Sequence, residues 1–181
     1  MPGSRESEIK TLLPELISTV ILMRKSDPQI QFSLSLANDH LKSWVESEIR
    51  GLDIDLSVGD AHDKIRTSDL VIVASGTATL EVALLAVPMI VIYKLSTVSY
   101  QIVRHLLNTK FISLPNAILG KEVVPELIQE KVTGQNIANL AMNFVMSDNT
   151  KIVSELEQIH ELLNQNSSVK SAEAVMEFLH G

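Results

Sequence analysis

Apolar positions recur along the chain in two alternating rhythms. Short runs that are β-branched, or that alternate apolar with polar residues, are typical of strands, and they are separated by stretches with helical spacing. The strand-like runs are residues 31–37, 54–58, 70–74, 89–93 and 111–114. Strands that alternate with helices predict an α/β fold with an open, mostly parallel sheet flanked by helices.

The helical patterns define the remaining elements. Pro14 interrupts the first of them, so we expect the firmer part of that helix to begin there. Further helices are predicted over residues 39–48, 61–67, 78–86, 96–107, 122–130, 133–146, 149–163 and 169–179. The polar stretch 164–168 predicts a linker, so the chain divides into a domain of residues 1–163 and a helical C-terminal extension of residues 164–181.

Residues 68–93 predict a strand, a tight turn, a helix and a second strand. The turn is made of Ser75, Gly76 and Thr77. In a parallel sheet, such a turn places free backbone N–H groups at the carboxyl edge of the strands, where they suit a phosphate. Glu81 follows about one helical turn later and is predicted to accept hydrogen bonds from a ribose. The alternative is an ordinary strand-to-helix turn in which Glu81 only balances the helix dipole.

Composition narrows the classes of function. A chain of 181 residues with 45% hydrophobic content predicts one well-buried domain. The absence of cysteine excludes disulfides and thiol nucleophiles, and the five histidines have no metal-ligand spacing. A net charge of −7 argues against general nucleic-acid binding. No apolar run approaches the length of a transmembrane helix, and the N-terminus is not typical of a signal peptide, so we expect a soluble or peripheral cytoplasmic protein.

The charge is unevenly distributed along the chain. Residues 82–121 contain Lys94, Arg104, Lys110 and Lys121 and no acidic residue. A basic face on an acidic protein suits an anionic ligand or an anionic membrane surface. The alternative for the predicted helix 96–107 is a packed helix whose cations reach past apolar neighbours to solvent.

Three local patterns occur in order along the chain. They are residues 2–5 (PGSR) before an acidic helix start, residues 74–81 (ASGTATLE), and residues 113–116 (SLPN) followed by residues 124–129 (VPELIQ). Together they resemble the C-terminal half of the lipid-A-disaccharide synthases, which are inverting glycosyltransferases of the GT-B type with two Rossmann-like domains. The resemblance covers nearly the whole chain.

The resemblance implies a reaction and its site. Such enzymes transfer 2,3-diacylglucosamine from UDP-2,3-diacylglucosamine to 2,3-diacylglucosamine 1-phosphate without a metal, giving lipid A disaccharide 1-phosphate and UDP. By match to the family motifs, the pyrophosphate is bordered by Ser75, Gly76, Thr77 and Thr79, and Glu81 holds the ribose hydroxyls. Arg5 and Asn116 are implied catalytic residues, with Arg5 facing the phosphates. Glu126 and Gln129 also match the family, without an assigned role.

The departures from the family pattern also carry expectations. The half that binds the acceptor and the strand leading into residues 2–5 are not in this chain, so we expect an empty place in the sheet. We expect UDP or UDP-sugar binding at most, no transfer by this chain alone, and association into a homodimer. In the alternatives, Arg5 is a solvated loop charge and Asn116 closes a turn. The rival functions are another UDP-hexosamine transferase or epimerase, and a non-catalytic binding module.

Overall fold

A computed structural model describes residues 1–95 and 110–163 of the chain. All strands in these two ranges run parallel to their neighbours and form two sheets, β1–β2 and β3–β4–β5. The strands are β1 (Phe32–Leu36), β2 (Ile54–Val58), β3 (Val71–Ala74), β4 (Met89–Tyr93) and β5 (Glu126–Ile128). The predicted α/β fold, with open parallel sheets flanked by helices, is confirmed.

The helices alternate with the strands and then continue alone at the end of the described region. They are α1 (Glu6–Ser26), α2 (Lys42–Glu48), α3 (Ala61–Arg66), α4 (Ala78–Leu84), α5 (Leu114–Leu119), α6 (Gly134–Met146) and α7 (Thr150–Leu163). Short 3-10 helices cover Asp39–Leu41 and Gln129–Lys131. The predicted helices 96–107 and 169–179 and the linker 164–168 lie outside the described residues. None of the described helices is long and apolar enough to cross a membrane.

The prediction for Pro14 was wrong, because α1 runs unbroken through it. Pro14 is exposed, and so is Lys10, whose carbonyl loses its helical donor to the proline ring. That carbonyl can therefore bond to water. The opposite side of α1 is buried against both sheets, through Leu12 and Leu13 among others. Packing holds the helix together across a residue that disfavours it locally.

Two predictions between β4 and α6 were also wrong. Residues 111–113 form a loop and Leu114 begins α5, so there is no strand at 111–114. Ser113 caps α5 by accepting a hydrogen bond from the Asn116 amide at 3.4 Å. Residues 122–130 contain β5 rather than a helix. Strand β5 pairs with β4, with Val91 opposite Glu126. Pairing with a strand far away in sequence therefore overrides the local helical pattern.

The core lies on both faces of the larger sheet, as expected for a parallel sheet. Side chains of β3 and β4 alternate between two apolar layers. One layer packs with α4 and α7, the other with α1 and α6. The first layer contains Val71, Val73, Met89 and Val91, and the second contains Ala74, Ile90 and Ile92.

A cleft of about 810 Å³ lies between β1 and β3. At its end, the Met1 amine donates to the Ile72 carbonyl and the Ala74 amide donates to the Met1 carbonyl, both at 2.9 Å. One residue of a parallel strand makes these two bonds to its neighbour. Burial lowers the pKa of the Met1 amine to about 5. The cleft therefore separates β1 of the smaller sheet from β3 of the larger sheet, and Met1 pairs with part of the β3 edge.

Candidate functional site

The carboxyl ends of β3, β4 and β5 meet at one edge of the larger sheet. The chain leaves this edge at Ser75, Lys94 and Gln129. The loop of residues 2–5 reaches the same edge, because Met1 pairs alongside Val73 near the end of β3. In open parallel sheets, ligands bind outside the carboxyl ends of the strands. The structure therefore brings the predicted turn and the opening loop to one edge.

The turn after β3 is built from small residues because its backbone is unusual. Gly76 has φ +153°, a conformation that side chains disfavour. Both donors of Ser75 form hydrogen bonds within the protein. Its amide donates to the Ile92 carbonyl at 2.9 Å, and its hydroxyl donates to the Ile112 carbonyl at 2.7 Å. Within the described residues, the amides of Gly76 and Thr77 have no hydrogen-bond acceptor. Gly76 and Thr77 are exposed, so the donors that this turn offers are their two amides and the Thr77 hydroxyl.

The two other predicted nucleotide ligands differ in their exposure. Thr79 is fully buried. Its hydroxyl donates to the Gly76 carbonyl at 2.7 Å and accepts from the Leu114 amide at 3.4 Å. Glu81 is exposed in the first turn of α4. Thr79 therefore supports the turn from behind, whereas Glu81 is accessible from solvent.

Arg5 lies at the start of α1. Its side chain is 80% exposed, and its guanidinium pairs with Glu8 at 3.3 Å. The backbone before it bends at Gly3, which has φ +102° and where an added Cβ would come within 2.6 Å of the Glu8 carboxylate. The structure places the loop of Arg5 at the carboxyl edge, and the described partner of the guanidinium is Glu8.

Asn116 is fully buried, and the chain itself uses all of its side-chain bonding capacity. Its amide nitrogen donates to the Val124 carbonyl and to the Glu126 carboxylate, both at 2.8 Å. Its oxygen accepts from the amides of Val123 at 2.8 Å and Val124 at 3.0 Å. Asn116 thus joins α5 to the segment that enters β5. Its predicted catalytic role stays a prediction.

Two polar residues without a role at the sequence level organise this edge. Glu126 accepts hydrogen bonds from the loop that ends at Ser113, and Gln129 forms hydrogen bonds with the Leu95 backbone. The Gln129 side chain accepts from the Leu95 amide at 2.6 Å and donates to its carbonyl at 3.3 Å. Gln129 directly follows β5, and a polar residue at that position in a parallel sheet is a sequence signal for the carboxyl edge. Glu126 begins β5 and has no such signal.

Two of the four basic residues of segment 82–121 have acidic partners from elsewhere in the chain. Lys94 pairs with Glu15 of α1 at 2.8 Å, and Lys121 pairs with Glu155 of α7 at 3.1 Å. Lys110 lies 5.1 Å from the centre of its neighbour's ring, that of Phe111. Arg104 lies outside the described residues. The excess of positive charge in this segment is therefore partly neutralised by the fold.

Parallel strands flanked by helices, with a small-residue turn and polar loops at the carboxyl edge, define a Rossmann-like α/β domain. A sequence model of the lipid-A-disaccharide synthetase family matches residues 1–178. The chain belongs to this family of glycosyltransferases in lipid A biosynthesis, and the resemblance found in the sequence is confirmed.

Curated relatives agree with this assignment. The chain is 34% identical to the lipid-A-disaccharide synthase of Alteromonas mediterranea, over 99% of this chain and 49% of the relative. It is 36% identical to that of Hahella chejuensis, over 99% of this chain and 46% of the relative. With the synthase of Hydrogenovibrio crunogenus the identity is also 36%, over 98% of this chain and 49% of the relative. The chain spans about half the length of these curated relatives.

Proposed function

We propose that this chain is the nucleotide-binding part of a lipid-A-disaccharide synthase. The reaction is transfer of 2,3-diacylglucosamine from its UDP carrier to 2,3-diacylglucosamine 1-phosphate, with inversion at the anomeric carbon and release of UDP. The observation that carries the proposal is the family match over residues 1–178, which includes the whole turn at the carboxyl edge of β3.

The chemistry requires stabilisation of negative charge on the departing UDP. In the proposed arrangement, the Gly76 and Thr77 amides donate to the pyrophosphate and Glu81 accepts from the ribose hydroxyls. Ser75 and Thr79 contribute by holding the turn, and Arg5 leaves Glu8 to face the phosphates. Fixed donors and a guanidinium stabilise such charge in the way that a metal does in other transferases, so metal independence is part of the proposal.

The lipid substrates place the proposed reaction at the cytoplasmic surface of the inner membrane. This location is supported by the acyl chains of donor and acceptor more than by the charge of segment 82–121, in which Lys94 and Lys121 are ion-paired. We also propose homodimerisation, because β1 has only β2 as a neighbour among the described strands, which leaves its other edge for pairing. Size-exclusion chromatography with light scattering tests it, and a monomer at all concentrations contradicts it.

Calorimetric titration with UDP and with ADP tests nucleotide binding. The proposal expects heat of binding from UDP and much weaker binding of ADP. A folded chain that binds neither nucleotide contradicts the proposal. An accompanying assay with acylated donor and acceptor is expected to give no disaccharide, because the chain spans only about half the length of its relatives. Disaccharide formed by this chain alone would contradict that expectation.

A further inference from the structure

Glu126 on β5 carries a half-buried carboxylate surrounded by donors from a single short loop. It accepts from the Ile112 amide at 2.9 Å, the Ser113 amide at 3.0 Å and the Ser113 hydroxyl at 2.6 Å. A fourth hydrogen bond comes from Asn116 at 2.8 Å. Among the described residues, no lysine, arginine or histidine forms an ion pair with Glu126. Three of these bonds end on Oε1 and one on Oε2, and within the described residues all four donors come from the short stretch 112–116.

The same loop contacts the turn after β3. The Ile112 carbonyl accepts the Ser75 hydroxyl at 2.7 Å, and the Leu114 amide donates to the Thr79 hydroxyl at 3.4 Å. Ile112 is therefore held by Glu126 through its amide and holds Ser75 through its carbonyl. The path from the carboxylate to the turn passes through one peptide residue.

We propose that Glu126 is a positioning residue for the nucleotide site. Its carboxylate fixes the Ile112 carbonyl, which orients Ser75 and keeps the Gly76 and Thr77 amides directed outward from the edge. The effect on nucleotide rests on the function proposed above, whereas the fixing of the loop does not. Hydrogen bonds to a charged acceptor are stronger than neutral ones, so a carboxylate is suited to holding a loop against the pull of a bound anion.

The position of Glu126 separates this role from general support of the fold. Asn116 bonds to the buried Val123 and Val124 backbone, away from the turn. Glu126 instead bonds the part of the loop that contacts Ser75 and Thr79. A carboxylate in the smaller sheet, Asp60, also accepts from two serine hydroxyls but lies at the end of β2, so it is a matched control.

The test compares Glu126→Gln, Ser75→Ala and the double variant with Asp60→Asn. Glutamine replaces one acceptor oxygen with an NH₂ group that faces the loop donors. UDP affinity is measured by calorimetry, and amide hydrogen exchange at Ile112 and Ser113 is measured without ligand. We expect UDP affinity to fall on the order of tenfold in Glu126→Gln, and exchange to rise at these two amides. Asp60→Asn is expected to leave both unchanged.

The double variant distinguishes positioning from general destabilisation. Because both residues act along one path, Glu126→Gln is expected to cost less than about threefold in affinity when Ser75 is already alanine. Fully additive losses, or exchange that rises throughout the domain, would overturn the proposal, and so would unchanged exchange at Ile112 and Ser113. If the wild type binds no UDP, the proposed function fails and with it the nucleotide role of Glu126. Faster exchange confined to the loop would then show that Glu126 holds the loop alone.

Discussion

In each sheet one strand is followed by a glycine turn, and the two turns differ in the residues that hold them. Gly59 after β2 has φ +75° and Gly76 after β3 has φ +153°, and each turn leads into a short helix. In the smaller sheet, Asp60 accepts from the Ser35 hydroxyl at 3.1 Å and the Ser57 hydroxyl at 2.6 Å. That turn joins the ends of β1 and β2 and is closed by its own side chain.

The turn of the larger sheet is held from behind instead. Its support comes from Ile112 and Leu114, which contact Ser75 and Thr79, and from Glu126, which accepts from the Ile112 amide. Because residues distant in sequence hold the turn in place, the Gly76 and Thr77 amides remain without an acceptor among the described residues. The same local pattern of strand, glycine and short helix therefore gives a structural turn in one sheet and a candidate ligand turn in the other.

Loss of Asn116 is expected to break this support most severely. In Asn116→Ala, the buried amides of Val123 and Val124 lose their acceptor, so the free energy of unfolding should fall by about 3 kcal/mol. Urea unfolding followed by circular dichroism measures it. Asn139→Ala is the control, because Asn139 is exposed and accepts only from Gln135 among the described residues. Equal stability of the two variants would contradict the role of Asn116.

Alanine at the two turn glycines sharpens the comparison. Gly76→Ala and Gly59→Ala are each expected to lower stability by about 1–2 kcal/mol, because both backbones have a positive φ. Only Gly76→Ala should also weaken UDP binding. The measurement is the melting temperature of each variant with and without UDP. Loss of the UDP-induced shift in melting temperature in Gly59→Ala would contradict the claim that only the turn at Gly76 contributes to UDP binding.

The closed turn should also have a signature in acid. Hydrogen bonds from Ser57 and then Ser35 lower the pKa of Asp60 below its ordinary value. As pH falls, Asp60 is therefore protonated in the unfolded chain at a higher pH than in the folded chain. The stabilisation that Asp60 gives is present above about pH 4 and is lost below it. Ser57→Ala should make the acid loss of stability shallower. Urea midpoints on either side of that pH test this, and an unchanged slope would contradict it.

The sequence predicted the elements whose patterns are local. Strand β2 follows an alternation of apolar and polar residues, and β3 and β4 follow β-branched runs. Helix α6 begins after Thr133, which caps it by accepting from the Asn136 amide at 3.2 Å. The predictions for residues 111–114 and 122–130 were wrong because the structure of these segments depends on residues far away in sequence. Strand β5 exists because β4 lies beside it, and the loop before α5 is shaped by Glu126.

The candidate site shows the same division. The sequence predicts that the turn at Ser75 directly follows a strand, and in a parallel sheet such a turn lies at the carboxyl edge. The burial of Asn116 and the pairing of Lys94 with Glu15 do not, because α1 and the β5 segment supply the partners from a distance. Composition alone therefore overstated the positive charge near this edge.

Calorimetric titration of UDP into the wild type, Glu81→Ala and Arg5→Ala tests the central claim most directly. Asp63→Ala is the matched control, since Asp63 is an exposed acid in the first turn of α3, as Glu81 is in α4. We predict that the wild type and Asp63→Ala bind UDP equally, and that the other two variants bind about tenfold more weakly. Equal binding by all four proteins, or none by the folded wild type, would contradict a nucleotide site at the Ser75 turn.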